Sequence, residues 1–597
     1  MSASFDTRRA ETRPVRLAST PSSVNAPPLE QPDDPVTSDL TLIFGIDTRT
    51  LAVFRVGLAL LLLGDLAWRA VDLNAFYTDA GTLPRMTRIQ LLESSDTSGL
   101  VHLWSLHMLS GQAWMQWLMF GIAAAAGLAL LIGYRTWLAT FVSWILLVSL
   151  HARNPVILQG GDVLLRMLVF WSLFLPLGAR LSIDRLVHPR RGLPRSVLSI
   201  GSFALLLQVA SLYVFSVVMK DHPRWHEEFS AVYYALQIDQ LTTPFGRWLT
   251  QFPSIGRSLT AGTYYFELLG PVLAFLPWFR GWLRFGVVLL FWSFHFGLSL
   301  CFHLGPFPYY CYVAWMAFVP GCVWDAAVRG FPAAKAALVS GRRQLGELWH
   351  AYGAGLERTG WGPAVPRLRT SWLGSCIATA ALGVMLVWNL RETTASTSVW
   401  WRIMPVSANV LGRASGIEQR WDMFSPPLTE DGWYCMEGIL NNGRHVNLWQ
   451  PDQGLPMQKR RDIAAMYPRE RWRKYLMNLC SVTHQAYRGP FVDWLAARWN
   501  ATEARGRNDW RVREVKLRFF IEETPVPGGR AKPIREAMLW HWIYADPADG
   551  LTGSATPLTV EPPAQREAKS ISDVSKPSRQ AGVSGASLVD GHSSREP

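Results

Sequence analysis

The chain has 597 residues, of which 49% are hydrophobic and only 17% charged, against roughly 25% charged in an ordinary soluble protein. That deficit and the 29 tryptophans point to a chain that lives at a lipid–water boundary. The net charge of +13 is what arginine-rich cytoplasmic loops give an apolar chain. No basic stretch is interleaved with stacking aromatics, which excludes nucleic acid as a partner.

In chain order, residues 1–39 are rich in Pro, Ser, Thr and charge and read as a disordered tail. No apolar run follows the early arginines, so no cleavable leader is expected. A spanning helix needs about 20 mostly apolar residues. Nine candidate spans follow: 51–67, 114–133, 137–150, 163–177, 197–219, 263–278, 285–302, 310–323 and 372–390. Pro271 and Pro277 predict a kink or an end in the sixth. Arg180, Arg185, Arg190, Arg191 and Arg195 follow the fourth, Arg280 and Arg284 the sixth, and Arg329, Lys335, Arg342 and Arg343 the eighth. These loops share one side if the N-terminus is cytoplasmic. Nine spans then place 326–371 as a cytoplasmic loop and everything after 390 outside. Segment 391–545 reads as an extracytoplasmic α+β or β-rich domain. Strands at 432–440 and 445–448 flank Asn442-Gly443, a hairpin turn. Further strands are expected at 512–522 and 537–544, with helices at 471–479 and 490–499. Residues 546–597 read as a second disordered tail. The fold class is thus an α-helical multi-pass membrane protein with a C-terminal outer domain.

Charges inside spans are costly and each marks a functional hypothesis. Arg55 and Asp65 lie in the first span, about 15 Å apart along the helix axis, so each needs a partner elsewhere. Asp162 and Arg166 stand at i and i+4 and can pair on one face. Glu267 sits in the sixth span. Ion pairs that glue helices together are the plainest account of these charges. Lys220 ends an apolar stretch. A lysine snorkelling to the interface explains that placement, and a desolvated amine acting as a general base also does. His295 and His303 are eight residues apart with no carboxylate at helical spacing, and no CxxC pair occurs. No metal is expected. Cys435 and Cys480 either pair or stay as thiols. Nucleophile elbow, phosphate loop, dinucleotide fingerprint and HExxH are all missing.

Four stretches carry a family likeness. They are Asp47-Thr-Arg-Thr-Leu-Ala-Val-Phe-Arg55 with Phe76-Tyr-Thr-Asp-Ala-Gly-Thr-Leu-Pro84; Tyr213-Val-Phe-Ser-Val-Val-Met-Lys220 running on to Trp225; Ser293-Phe-His295 with Leu-Gly-Pro-Phe-Pro308; and Trp421-Asp-Met-Phe424. In these the chain resembles the vitamin K-dependent γ-glutamyl carboxylase family, and more closely its bacterial relatives with a horizontally transferred transmembrane (HTTM) domain, here 42–325. The resemblance implies Lys220 as the base that deprotonates a vitamin K-type, menaquinol-like hydroquinone. It places His295, Trp421 and Met423 near the quinone end of the site and implies a lumenal-type C-terminal domain that meets a protein substrate on the outer face. One departure limits it. The family's Asn-His pair leading into the fourth span is replaced by Gln159-Gly-Gly-Asp162, with glycine at 161 where the histidine aligns. Glycine offers neither donor nor base, so glutamate carboxylation is not implied with the same force as quinol binding. A non-enzymatic membrane maturation factor and a transporter are the rival classes, the latter without a visible repeat. Membrane lipids are partners under every reading.

Overall fold

The computed structural model describes residues 35–93, 104–189, 193–352, 359–367, 370–394, 398–404 and 406–544. The 1–34 part of the first tail and all of the second tail lie outside them. Residues 35–39, expected to be disordered, open helix α1, Pro35–Phe44.

Six helices among the described residues are long and apolar enough to cross a membrane: Thr48–Ala70 (α2), Ala113–Ile132 (α3), Thr136–Arg153 (α4), Ile200–Val218, Trp278–Cys301 and Trp372–Glu392. Of the nine expected spans, six meet that test among the described residues, or seven if a bent pair counts as one span. The fourth candidate is the helix Gly160–Ser172 (α5), whose 13 residues reach about 20 Å, short of a core of about 30 Å. The sixth is the helix Pro253–Ala274. It runs through Pro271, stops before Pro277 and carries Arg257 and Glu267, which dilute its apolar character. The eighth breaks into Phe307–Met316 and Gly321–Gly330, bent by 87°, because Pro320 starts a new helix rather than extending the old one. The remaining helices needed below are α6 (Ile200–Val218), α7 (Pro253–Ala274), α8 (Trp282–Cys301), α9 (Phe307–Met316) and α10 (Gly321–Gly330).

The helical bundle has two distinct ends. At one, Ile46–Asp47 (β1) pairs antiparallel with Ser196–Val197 (β2). Arg55 reaches the carbonyls of Leu177 and Arg180 at 3.2 Å and of Leu181 at 2.5 Å. Arg284 donates to the Leu42 carbonyl at 3.0 Å, and Arg49 pairs with Asp325 at 2.6 Å. The arginine-bearing loops after the fourth, sixth and eighth candidates therefore meet at the end where the first span begins. At the other end, Lys220, Asp65 and Asp162 face the C-terminal domain.

That domain is a four-stranded antiparallel sheet in the order β4-β3-β5-β6, made of Glu430–Leu440 (β3), His445–Asn447 (β4), Val512–Glu523 (β5) and Arg535–Ile543 (β6). Gly443 takes a left-handed φ of 80° in the β3–β4 turn, which glycine adopts without steric cost. Two helices, Glu470–Cys480 (α11) and Arg488–Thr502 (α12), cover the sheet. Trp472, Tyr475, Leu479 and Phe491 pack with Tyr434, Met436 and Leu517. The same core takes in Phe76, Tyr77, Val156 and Ile157 from the helical part, with Phe76 and Trp472 ring centroids 4.4 Å apart. Continuous apolar burial thus joins sheet and bundle.

Candidate functional site

A cavity of about 1340 Å³ opens where the bundle meets the sheet domain. Its membrane side is walled by Tyr213, Phe294, Leu298, Phe302 and Phe307, and its far side by residues of the 420–430 loop, α11 and the start of β6. The wall is apolar at one end and charged at the other, the arrangement that suits an amphiphilic ligand.

Lys220 lies in the wall, two residues past the end of α6, and is 2% exposed. Its Nζ donates to Ser216 Oγ at 2.9 Å and is ion-paired with Glu267 of α7. It also stands 4.8 Å from the centre of the Trp225 ring. Trp225 is in turn fixed by donating its indole N–H to the Phe424 carbonyl at 3.0 Å. A lysine extended into solvent has none of these contacts. Tyr213, seven residues earlier and so on the same helix face, heads a second chain. Trp315 donates to Tyr213 Oη at 2.9 Å, and Tyr213 meets His295 Nε2 at 2.7 Å. His295 Nδ1 is buried without a partner. The cavity therefore has a lysine–carboxylate pair and an unpaired imidazole nitrogen in its wall.

Lys220, Glu267, His295 and Met423 come together here; the other sequence candidates do not. Trp421 is fully buried behind the wall, its indole donating to Gln419 Oε1 at 3.0 Å. Arg55 belongs to the opposite end of the bundle. The expected Asp162–Arg166 pair is not formed. Arg166 donates to the Glu418 carbonyl at 2.9 Å. Asp162 instead accepts from Arg69 at 2.5 Å and from Arg471 at 2.5 and 2.8 Å. Asp65 accepts from Arg69 at 2.7 Å, from Arg471 at 2.7 Å and from Tyr310 at 3.1 Å. Two carboxylates and two guanidinium groups thus close a buried network between α2, α5 and α11. His151 adds a third donor atom within 4.8 Å of both carboxylates, a spacing a metal ion could use. Arg69 and Arg471 already neutralise those oxygens, so the donor set does not fit a cation.

Arg69 was legible as i+4 from Asp65. Arg471 carried no sequence signal, since its partners Asp65 and Asp162 are hundreds of residues away, and Lys474 sits on an ordinary-looking amphipathic helix. Lys474 lines the cavity, and burial lowers its pKa below the ordinary lysine value despite the nearby Asp422 and Asp162. Arg473 is lowered to about 10 by the same burial. Asp431 on β3 accepts from the Asp239 N–H at 2.6 Å and Gln240 Nε2 at 2.7 Å. Burial nevertheless pushes it up to about 6. Cys435 and Cys480 are both free thiols. No protein-family profile, curated protein or solved structure matches the chain.

Proposed function

We propose that this is an integral membrane protein of the carboxylase-like HTTM type that removes a proton from a menaquinol-like quinol, with the Lys220–Glu267 pair as the base. The observation that carries the reading is the burial of this pair in the wall of an amphiphilic cavity, beside His295. A quinol supplies an acidic O–H and two reducing electrons, which molecular oxygen takes up. The apolar wall of Phe294, Leu298 and Phe302 suits its chain. His295 Nδ1, unpaired in the wall, can bond a quinol oxygen, and Met423 borders the ring end. Lys220 Nζ and the Glu267 carboxylate are in direct contact, so a proton taken from the quinol can be shared between them. The working base is therefore the pair, with Ser216 and the Trp225 face orienting the amine.

Gly161 sets the limit of the likeness. A Cβ there would lie 2.6 Å from the Tyr310 ring, so no side chain stands where the family has its histidine. The proposed reaction stops at quinol deprotonation and oxidation, without glutamate carboxylation. The loops that meet at the α2 start form the cytoplasmic side under this reading. The sheet domain lies outside, where it can meet a protein substrate.

Lys220→Ala should lower oxygen uptake with a soluble menaquinol analogue by about 10²–10⁴-fold, the usual weight of a general base. Detergent-purified protein that neither binds nor oxidises any quinol would sink the proposal. A partner protein retained equally by wild type and Lys220→Ala would favour the maturation-factor alternative.

A further inference from the structure

Most cations lining the cavity are already matched. Lys220 has Glu267, Arg420 has Asp422 at 2.7 Å, Arg473 has Glu470 and Arg535 has Glu430. Lys474 has no hydrogen-bond or ion-pair partner among the described residues, although it is largely withdrawn from water. Its position is set by α11. Arg471, Lys474 and Asn478 stand at i, i+3 and i+7 on one helix face. Arg471 bonds the Ile157 carbonyl and Asp162, and Asn478 donates to the Val156 carbonyl at 2.6 Å. Lys474 therefore faces the 156–162 segment. There the Gln159 side chain also lines the cavity, and its Nε2 is buried without an acceptor. Gln159 caps α5, and the N–H of Gly160, the first helical residue, has no acceptor inside the helix and lies at the same place in the cavity wall.

The Lys474 ammonium, the Gln159 amide N–H₂ and the helix N-terminus all offer donors to this end of the cavity, and the Asp422 carboxylate near Lys474 is already paired with Arg420. We propose that this end of the cavity is an anion subsite, where Lys474 and Gln159 hold the carboxylate or phosphate head of an amphiphile whose chain lies against Phe294, Leu298 and Phe302. The proposal rests on reading the cavity as a ligand site, but not on quinol chemistry. It gives the charged end of the cavity a function that a neutral quinol leaves unused.

Full-length protein in maltoside micelles, titrated calorimetrically with hexyl phosphate, hexanoate, hexanol and inorganic phosphate, tests it. Wild type should bind hexyl phosphate or hexanoate more tightly than hexanol. Lys474→Met should weaken the anionic probe by about tenfold or more, the size of one lost charge-assisted hydrogen bond, and leave hexanol unchanged. Gln159→Leu should weaken it by about threefold or more. Lys474→Arg should keep most of the affinity, which separates lost charge from a misfolded variant. Equal affinity of wild type and a folded Lys474→Met overturns the subsite. Inorganic phosphate binding as tightly as hexyl phosphate overturns the amphiphile and assigns a free ion. Anionic probes that bind as described without any quinol oxidation would remove the quinol reading alone. Quinol oxidation lost in Lys220→Ala, with hexyl phosphate indifferent to Lys474→Met, would remove the subsite alone.

Discussion

Two groups of buried charge stand side by side at the junction of bundle and sheet, and they are built differently. In the Asp65–Arg69–Asp162–Arg471 network every carboxylate oxygen meets a guanidinium or a hydroxyl, and side-chain exposure is 0–3% throughout. At the cavity, Lys220 has one carboxylate and one hydroxyl, His295 Nδ1 has no partner, and Lys474 has none among the described residues. The first group is saturated and borders a void of only about 30 Å³, at Asp65. The second borders about 1340 Å³ of void. Saturation marks charges that hold a structure together, and unused hydrogen-bonding capacity beside a void marks charges that await a ligand.

The largest effect should come from breaking the saturated group. Asp162→Ala leaves Arg69 and Arg471 facing each other without their shared anion. Removing one partner of a buried ion network costs about 3–5 kcal/mol, so a strongly lowered apparent Tm in detergent, or loss of folded protein, is expected. An Asp162→Ala protein that melts like wild type would show that the network is not structural.

Next comes the pH dependence of the second contact between sheet and bundle, Asp431 on the Asp239–Gln240 turn. Its pKa is raised from 3.8 to about 6, so the folded state binds this proton more readily than the unfolded chain. The contribution favours folding below about pH 4 and is lost as pH rises through 6, a swing of about 3 kcal/mol. Asp431→Asn does not titrate. Relative to that variant, wild type should lose apparent Tm between pH 4 and 6.5. A constant difference across that range would contradict the assignment.

Much of this frame was open to sequence reading because it is local. The four strands, the Asn442-Gly443 turn and the helices beginning near 470 and 488 all follow from periodicity and turn chemistry within a dozen residues. The long apolar helices do too. Local hydropathy is a poor guide to span number at the 13-residue α5 and at the Pro320 break, which fall outside the long apolar helices. The site was half legible. Lys220 and His295 stood out as polar groups in apolar runs. Arg471 reaches Asp65 across 406 residues, and Lys474 sits on an ordinary-looking amphipathic helix, so neither could be found without the tertiary fold. Trp421 was misplaced because a buried aromatic and a ligand-facing one look alike in sequence.

A milder loss is expected from the open group. Lys220→Met removes one partner of a buried pair just as Asp162→Ala does, but Glu267 then borders a cavity where water can reach it. A cost of about 1–2 kcal/mol, well below that of the network mutation, is expected. Apparent Tm measured alongside quinol oxidation separates the two roles, since activity should fall far more than stability. A stability loss equal to that of Asp162→Ala would erase the contrast between the two groups.

The smallest effects should come from two neighbouring glycines that lie on either side of the divide. Gly160 lines the cavity, and a Cβ added there meets only Met423 Sδ at 3.5 Å, an ordinary contact with a flexible side chain. Gly161 faces the network side, and its Cβ would lie 2.6 and 2.8 Å from two Tyr310 ring carbons. Tyr310 is held by its bond to Asp65 and cannot retreat without weakening the network. Gly161→Ala should therefore cost about 1–2 kcal/mol through overpacking. Gly160→Ala should be neutral or stabilising by up to about 1 kcal/mol, because alanine is the better helix former. Combining Gly161→Ala with Tyr310→Leu should recover part of the loss, since the smaller side chain removes the clash. If Gly160→Ala proved the more harmful in thermal melts, the boundary between packed and open charge would have to be redrawn one residue earlier.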